Sequence, residues 1–342
     1  MPTNNVAMSF NCPNYSGLLF NKGNTKTPFS TLIGANGWRI STSTEFTTGQ
    51  EYETAKGSQP AISEEASLTA PAATVTTRTQ GTNVCQIFQE SVYAADAKMS
   101  NMGTLSGINV AGQTANPTNE LDFQIASKMA KIAQDIEYTA LNGVYNKATS
   151  DSEINKSKGI VTATTSNVID ADGAKAGFWL LLEAQKLVSD ANGDPNGLVA
   201  LCNGTNMLQI QADALENNIK IITNQESING VNVTSLITPY GIIRIKEVPL
   251  MQAGTIELAN IGICHPVGMN VPEKGNFYLE ELAKVGAGTK KHIFGQFGLD
   301  YGPEWYHAKI TGLSKEFKRP ENGILTRTAE TTTPPATGTT VG

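Results

Sequence analysis

The sequence is short of charge, of aromatic rings and of cysteine, and each shortage closes off a class of function. Only 16% of its 342 residues are Asp, Glu, Lys or Arg, and 7% are aromatic. The net charge is −6 and no run of Lys or Arg forms a stripe, so the clustered positive charge of a nucleic-acid footprint is missing. Cys12, Cys85, Cys202 and Cys264 share no CxxC spacing. They read as reduced, mostly buried thiols of a chain folded in a reducing cytosol, not as a disulfide framework. His265, His292 and His307 stand far from a second ligand in helical register, so no metal is expected. No apolar run approaches transmembrane length, and MPTNNVAMSFNCPNYSGLLF has neither the basic nor the apolar region of a secretory signal. The expectation is a soluble chain made in the cytoplasm, with no membrane partner.

Recurrent catalytic motifs are missing as well. There is no GxGxxG between strand and helix, no GxSxG elbow, no HExxH and no DxDxDG loop. Lys22–Pro28 (KGNTKTP) lacks the GxxxxGK[ST] pattern, and Pro28 should block a helix continuing from Thr27. No cofactor is expected. One stretch does concentrate chemistry: FGLDYGPEWYHAKI places Asp300, Glu304, Trp305, Tyr306 and His307 within eight positions. Its pattern, however, alternates as a strand up to Tyr301, breaks at Gly302-Pro303 and resumes. In that reading Glu304 and His307 point to opposite faces and Asp300 precedes the turn, so an acid/base pair does not converge. The expectation is a β-hairpin within 286–318 and no catalytic residue.

What the sequence has in plenty is Thr, Asn, Ser, Gly and Ala. Neutral polar side chains suit a surface that other chains will cover, since hydroxyls and amides are cheaper to bury than charges. Residues 1–40 read as an extended arm with apolar clusters at Leu18–Phe20 and Phe29–Ile33. Residues 41–80 are β-prone and polar at nearly every position, with nothing to bury; Thr74–Thr79 looks like the returning strand of a long hairpin. Asn116-Pro117-Thr118 signals a helix start. Leu121, Ile125, Met129, Ile132, Ile136 and Ala140 then recur at helical spacing, with Asp122, Lys128, Lys131, Asp135 and Glu137 off the stripe and Gly143 as the stop. Ala174–Ala191 predicts a helix ending at Asn192-Gly193, Gly197–Cys202 a buried strand, Thr205 the cap of a further helix, and Ile219–Ile222 another strand. Strand-rich sequence follows to Val285. Residues 319–342 form a Thr/Pro/Gly tail that cannot pack.

Taken together, SGLLF…GNTKTPFSTLIG, STSTEFTTGQEYE, the polar excursion, NVCQIFQESVYA, the long helix NELDFQIASKMAKIAQDIEYTALNG and the final FGLDYGPEWYHAKITGL resemble a major head protein of tailed bacteriophages. The resemblance covers most of residues 15–315 and implies the Hong Kong 97 (HK-97) type of α+β capsid fold. Carried onto this chain, it implies an N-terminal arm (1–40) and an extended E-loop (41–92) laid over a neighbouring subunit. It further implies a peripheral domain (93–172) with a spine helix at 116–146, an α/β axial domain (173–285), a peripheral hairpin (286–318) and a flexible tail (319–342). The implied function is an icosahedral shell of hexamers and pentamers in the virion. It is assembled in the host bacterial cytoplasm and encloses double-stranded DNA without sequence-specific contacts. Implied partners are separate scaffolding and portal proteins, with decoration proteins as further candidates. Glu45, Glu64, Glu65, Arg78, Trp305 and Tyr306 are candidate inter-subunit contacts, with solvated charge as the alternative for the ionic ones. Lys56 lies in the loop where some members crosslink, but neither a partner Asn nor a catalytic carboxylate can be placed, so no crosslink is predicted. The rival readings are an encapsulin-like nanocompartment shell, an enzyme using Asp300, Glu304 and His307, and a β-rich surface protein.

Overall fold

The computed structural model describes residues 6–7, 21, 23, 25–100, 120–217, 221–284 and 286–317. The expected Leu18–Phe20 cluster, the Asn116-Pro117-Thr118 helix start, Cys12 and the 319–342 tail lie outside these residues.

After a two-residue strand, β1 (Val6–Ala7), Pro28 opens helix α1 (Pro28–Gly34). Proline suits the first helical position because its missing N–H would be unpaired there anyway. Phe29, Leu32 and Ile33 are all at most 1% exposed. This corrects the extended-arm expectation for residues 28–34: the apolar spacing is helical, and Pro28 starts a helix instead of blocking one. β2 (Arg39–Ser41) follows. Then β3 (Glu45–Tyr52) and β4 (Arg78–Val84) pair antiparallel as the expected long hairpin, Glu45 opposite Val84 and Tyr52 opposite Arg78. The return strand starts at Arg78, not Thr74. Between the strands the chain forms one short helix, α2 (Glu64–Ser67), capped by Ser63, whose hydroxyl accepts the Ala66 N–H at 3.1 Å. β5 (Gln86–Ala95) and α3 (Asp96–Ser100) complete the first third.

Helix α4 (Glu120–Asn142) has 23 residues, about 35 Å at helical rise. Leu121, Ile125, Ile132 and Ala140 are buried as the stripe predicts, but Met129 is 56% exposed. Glu137 reverses its expectation: it is wholly buried. Its carboxylate accepts the Phe29 N–H at 2.9 Å and both the N–H and hydroxyl of Ser30 at 2.6 Å. Those are unpaired donors at the start of α1, where a negative group is favoured. Helix α4 stops at Gly143 as its sequence pattern predicts, short of the 116–146 span that the resemblance implied. The Gly143 N–H bonds Thr139 O at 2.9 Å, and a Cβ on Gly143 would fall 2.3 Å from Ser157 O, so no larger residue fits.

The chain then alternates helix and strand through α5 (Ile160–Ala163), β6 (Val168–Asp170), α6 (Phe178–Asp190), β7 (Val199–Cys202) and α7 (Gly204–Glu216), and continues in strands: β8 (Ile221–Ile228), β9 (Val231–Thr238), β10 (Gly241–Glu247), β11 (Ile256–Ala259), β12 (His265–Met269), β13 (Phe277–Glu281), β14 (Gly288–Asp300) and β15 (Ala308–Thr311). Helix α6 ends through Asn192 and Gly193 as predicted, with Asn192 at φ 69° and the Gly193 N–H on Val188 O at 2.8 Å. The cap of α7 is Asn203, not Thr205: the Asn203 side chain accepts the Asn206 N–H at 2.9 Å.

Two large sheets organise these strands. One runs β1-β5-β14-β12-β2, with β13 pairing β14 alongside β12, on the edge away from β5; the other runs β6-β15-β11-β7-β10-β9-β8. In the second, the central strands β7 and β11 are buried on both faces. Val199, Leu201 and Ala259 join a core built around α1, α4 and the first sheet, whereas Leu198, Ala200, Ile256 and Leu258 face a core under α6 and α7. This explains why β7 reads as an unbroken apolar run. The expected 290–313 hairpin does not form. β14 pairs with β5, β12 and β13, while β15 pairs with β11 and β6. Tyr301–His307, with a 3-10 turn at Glu304–Tyr306, carries the chain from one sheet to the other. Alternation around a Gly-Pro break is the same whether two strands pair with each other or enter different sheets.

Candidate assembly surface

Among the described residues, the β3–β4 hairpin is held at its base. There Phe46, Thr48, Asn83 and Val84 are buried. Asn83 is the clamp: its amide donates to Leu299 O at 2.7 Å and Lys158 O at 3.0 Å, and its carbonyl accepts the Lys158 N–H at 2.8 Å. Gly49 lets β3 touch the inter-sheet crossing, since a Cβ there would lie 2.3 Å from Pro303 N. Trp305 adds a bond from its indole N–H to Glu51 Oε2 at 2.9 Å and stacks on Tyr306 at 4.4 Å between ring centroids. Farther out the chain is bare. Ile62, Leu68 and Val75 are 69%, 84% and 87% exposed.

The candidate contact residues divide on this geometry. Glu45 is engaged within its own chain, 2.5 Å from Lys147 Nζ, and that hydrogen bond holds its carboxyl below the usual range. Glu64 and Glu65 are exposed in the first turn of α2, and Arg78 is exposed at the start of β4. Trp305 is tied to β3 through Glu51 and Tyr306 lies against its ring, so both make contacts within the subunit.

Asp300, Glu304 and His307 each serve a different backbone junction. Asp300 pairs with Arg39 and accepts the Gly302 N–H at 3.0 Å. Glu304 accepts the N–H groups of Thr165 at 2.8 Å and Ser166 at 3.0 Å, and the Ser166 hydroxyl. Burial works to raise its carboxyl, but these bonds win and it lies below the usual range. His307 is fully buried. Nδ1 accepts the Asn260 N–H at 3.1 Å, which leaves Nε2 to donate to Tyr301 O at 2.7 Å. Burial depresses its pKa to about 4, so the ring is neutral at pH 7. The three are brought into one segment but not to one another. Asn83 and Glu137, whose structural roles the sequence does not mark, take their tertiary partners at least 75 positions away, beside one local bond from the Val84 N–H to Asn83.

The sequence matches a family described as SU10 major capsid protein over residues 2–314. None of the curated proteins matches it. Among solved structures, the capsid asymmetric unit of cyanophage A-1(L) is similar at TM-score 0.59 and 12% identity, over 89% of this chain and 97% of that one. The holo-SrpI encapsulin complex of Synechococcus elongatus PCC 7942 is similar at TM-score 0.55 and 8% identity, over 88% and 95%. The capsid of a native GTA particle gives TM-score 0.52 and 13% identity, over 87% and 94%. These likenesses establish the HK-97 capsid fold, which phage heads and encapsulins share, and the family match separates the two in favour of the head protein. On that match, spanning nearly its whole length, the chain belongs to the SU10 major capsid protein family.

Proposed function

We propose that this major capsid protein closes an icosahedral phage head by laying its β3–β4 hairpin over a neighbouring subunit. The observation that carries the reading is a hairpin fixed at the root and bare at the tip. Among the described residues, nothing covers Ile62, Leu68 and Val75. Burying each against a neighbour would contribute about 1.5–3 kcal/mol, and closure of a symmetric shell multiplies such contacts. Glu64, Glu65 and Arg78 flank them as inter-subunit ionic contacts. Trp305 and Tyr306 set the hairpin's root, and Asp300, Glu304 and His307 do structural work, so the role needs no catalysis. In this reading α4 with the six-stranded sheet forms the peripheral part, and the seven-stranded sheet with α6 and α7 forms the axial part. The axial parts gather into hexamers and pentamers. The shell encloses double-stranded DNA without sequence-specific contacts. Its further partners are separate scaffolding and portal proteins, and decoration proteins where present, with assembly in the host bacterial cytoplasm.

The test replaces residues 54–76 by a short Gly/Ser turn, leaving both hairpin strands. The expected variant is folded by circular dichroism and elutes as subunits or capsomers, but electron micrographs show no closed shells. Shells at wild-type yield would overturn the assignment of the hairpin.

A further inference from the structure

The seam between the two cores contains an unusual carboxyl group. Glu257 lies on the face of β11 that meets the α4 core, with Leu201 of β7 and Lys309 of β15 as its register partners. It is completely buried. One oxygen accepts the Thr164 hydroxyl at 2.5 Å. The other, Oε2, is shielded from solvent and has no hydrogen-bond partner among the described residues. Lys309 stands on the adjacent strand yet does not close on it; its Nζ donates to the carbonyl of Val161 in α5 at 2.8 Å. Helix α5 is therefore tied to the sheet by two side chains that could instead bind each other.

The charged groups acting on Glu257 are Lys309 from β15 and Glu304 from the 3-10 turn. Cys264, after β11, is buried nearby and bonds Asn260 O through its thiol. Thr164, which follows α5, and Leu201 of β7 bring no charge. An orphan carboxyl oxygen beside a lysine with two possible partners is a two-state arrangement. We propose that Glu257, Lys309 and α5 form a proton-controlled joint. With Glu257 protonated, Lys309 stays on Val161 and fixes α5 to the sheet. When Glu257 releases its proton to solvent, Oε2 draws Lys309 across and α5 is freed. Burial holds the carboxyl well above the usual range, so the closed form persists at pH values where an exposed glutamate has ionised. The movement reaches α4 through α5's root, where the Gly159 N–H bonds Gly143 O at 2.9 Å and the Thr162 hydroxyl bonds the same carbonyl. The joint sits inside one subunit and does not depend on the hairpin assignment.

Amide hydrogen exchange on the full chain tests it, with wild type and Glu257→Gln compared across pH after correction for intrinsic exchange. The reporters are the Ala163 and Thr164 amides, bonded to Gly159 O at 2.9 Å and Ile160 O at 3.0 Å. Wild-type protection at these sites should fall about tenfold per pH unit as Glu257 begins to ionise. In the variant, which cannot ionise, protection should stay constant. Lys309→Met removes both the tie to Val161 and the cation that the carboxylate would recruit, so α5 protection should be low at every pH and the Glu257 carboxyl should titrate at higher pH than in wild type. The infrared band of a buried carboxylic acid, absent from Glu257→Gln, follows the proton directly. Parallel protection in wild type and Glu257→Gln, or a band that persists while α5 opens, would overturn the joint. If Glu257→Gln fails to fold, a carboxyl band in wild type whose titration ignores Lys309→Met does the same.

Discussion

The hairpin and the seven-stranded sheet are built on opposite terms. Every residue of β7 is buried, with apolar cores against both faces. The hairpin has a buried root and an outer half in which apolar side chains meet water. The sheet completes its packing inside one chain, whereas the hairpin leaves its packing to be completed elsewhere. Stability and assembly are thus assigned to different residues, and single substitutions should separate them.

The same substitution in the two regions gives the widest contrast. Leu201→Ala, in the sheet, should cost about 2–5 kcal/mol through the cavity it leaves. Leu68→Ala, in the hairpin, should change subunit stability by less than about 0.5 kcal/mol yet reduce shell yield. Urea unfolding and particle counts measure the two effects, and a large stability loss for Leu68→Ala would erase the distinction. His307 gives the next effect. Its folded pKa of about 4 lies below the ordinary 6.5, so the unfolded chain binds more protons between those values. Stability is therefore complete above about pH 6.5 and should fall by on the order of 3 kcal/mol towards pH 4. His307→Gln should flatten that acid limb, although it starts lower because two hydrogen bonds change. Asn83→Ala, at the root where the regions meet, strands buried backbone groups and should cost about 1–3 kcal/mol. It should also loosen hairpin amides to exchange before the sheet's. Lys147→Ala is the smallest change: the Glu45 pair is solvent-exposed, and no shift in Tm is expected by calorimetry.

How far these regions can be read from sequence follows the same division. The long helix, its Gly143 stop and the apolar run of β7 declare themselves because burial there repeats with the period of the element. The hairpin declares itself by having nothing to bury. What stays hidden is pairing across distance. Glu137 looks like any solvated glutamate until α1 docks its N-terminus on it. The residues around Gly302-Pro303 suggest a hairpin because alternation fixes which face a side chain takes, not which strand lies beside it. Glu257, at a strand position otherwise filled by apolar residues, did carry a local sign, since a lone acid in such a run must find a partner or a proton.

The crossing segment Tyr301–His307 also decides how the subunit bears load. Gly49 touches Pro303, Glu51 holds Trp305, and the segment itself continues β14 at one end and β15 at the other. A pull on the hairpin tip is passed, through these contacts, to a stretch of backbone rooted in both sheets. Load taken up there enters β14 and β15, which are hydrogen-bonded along both edges, so it is shared by rows of bonds in two sheets.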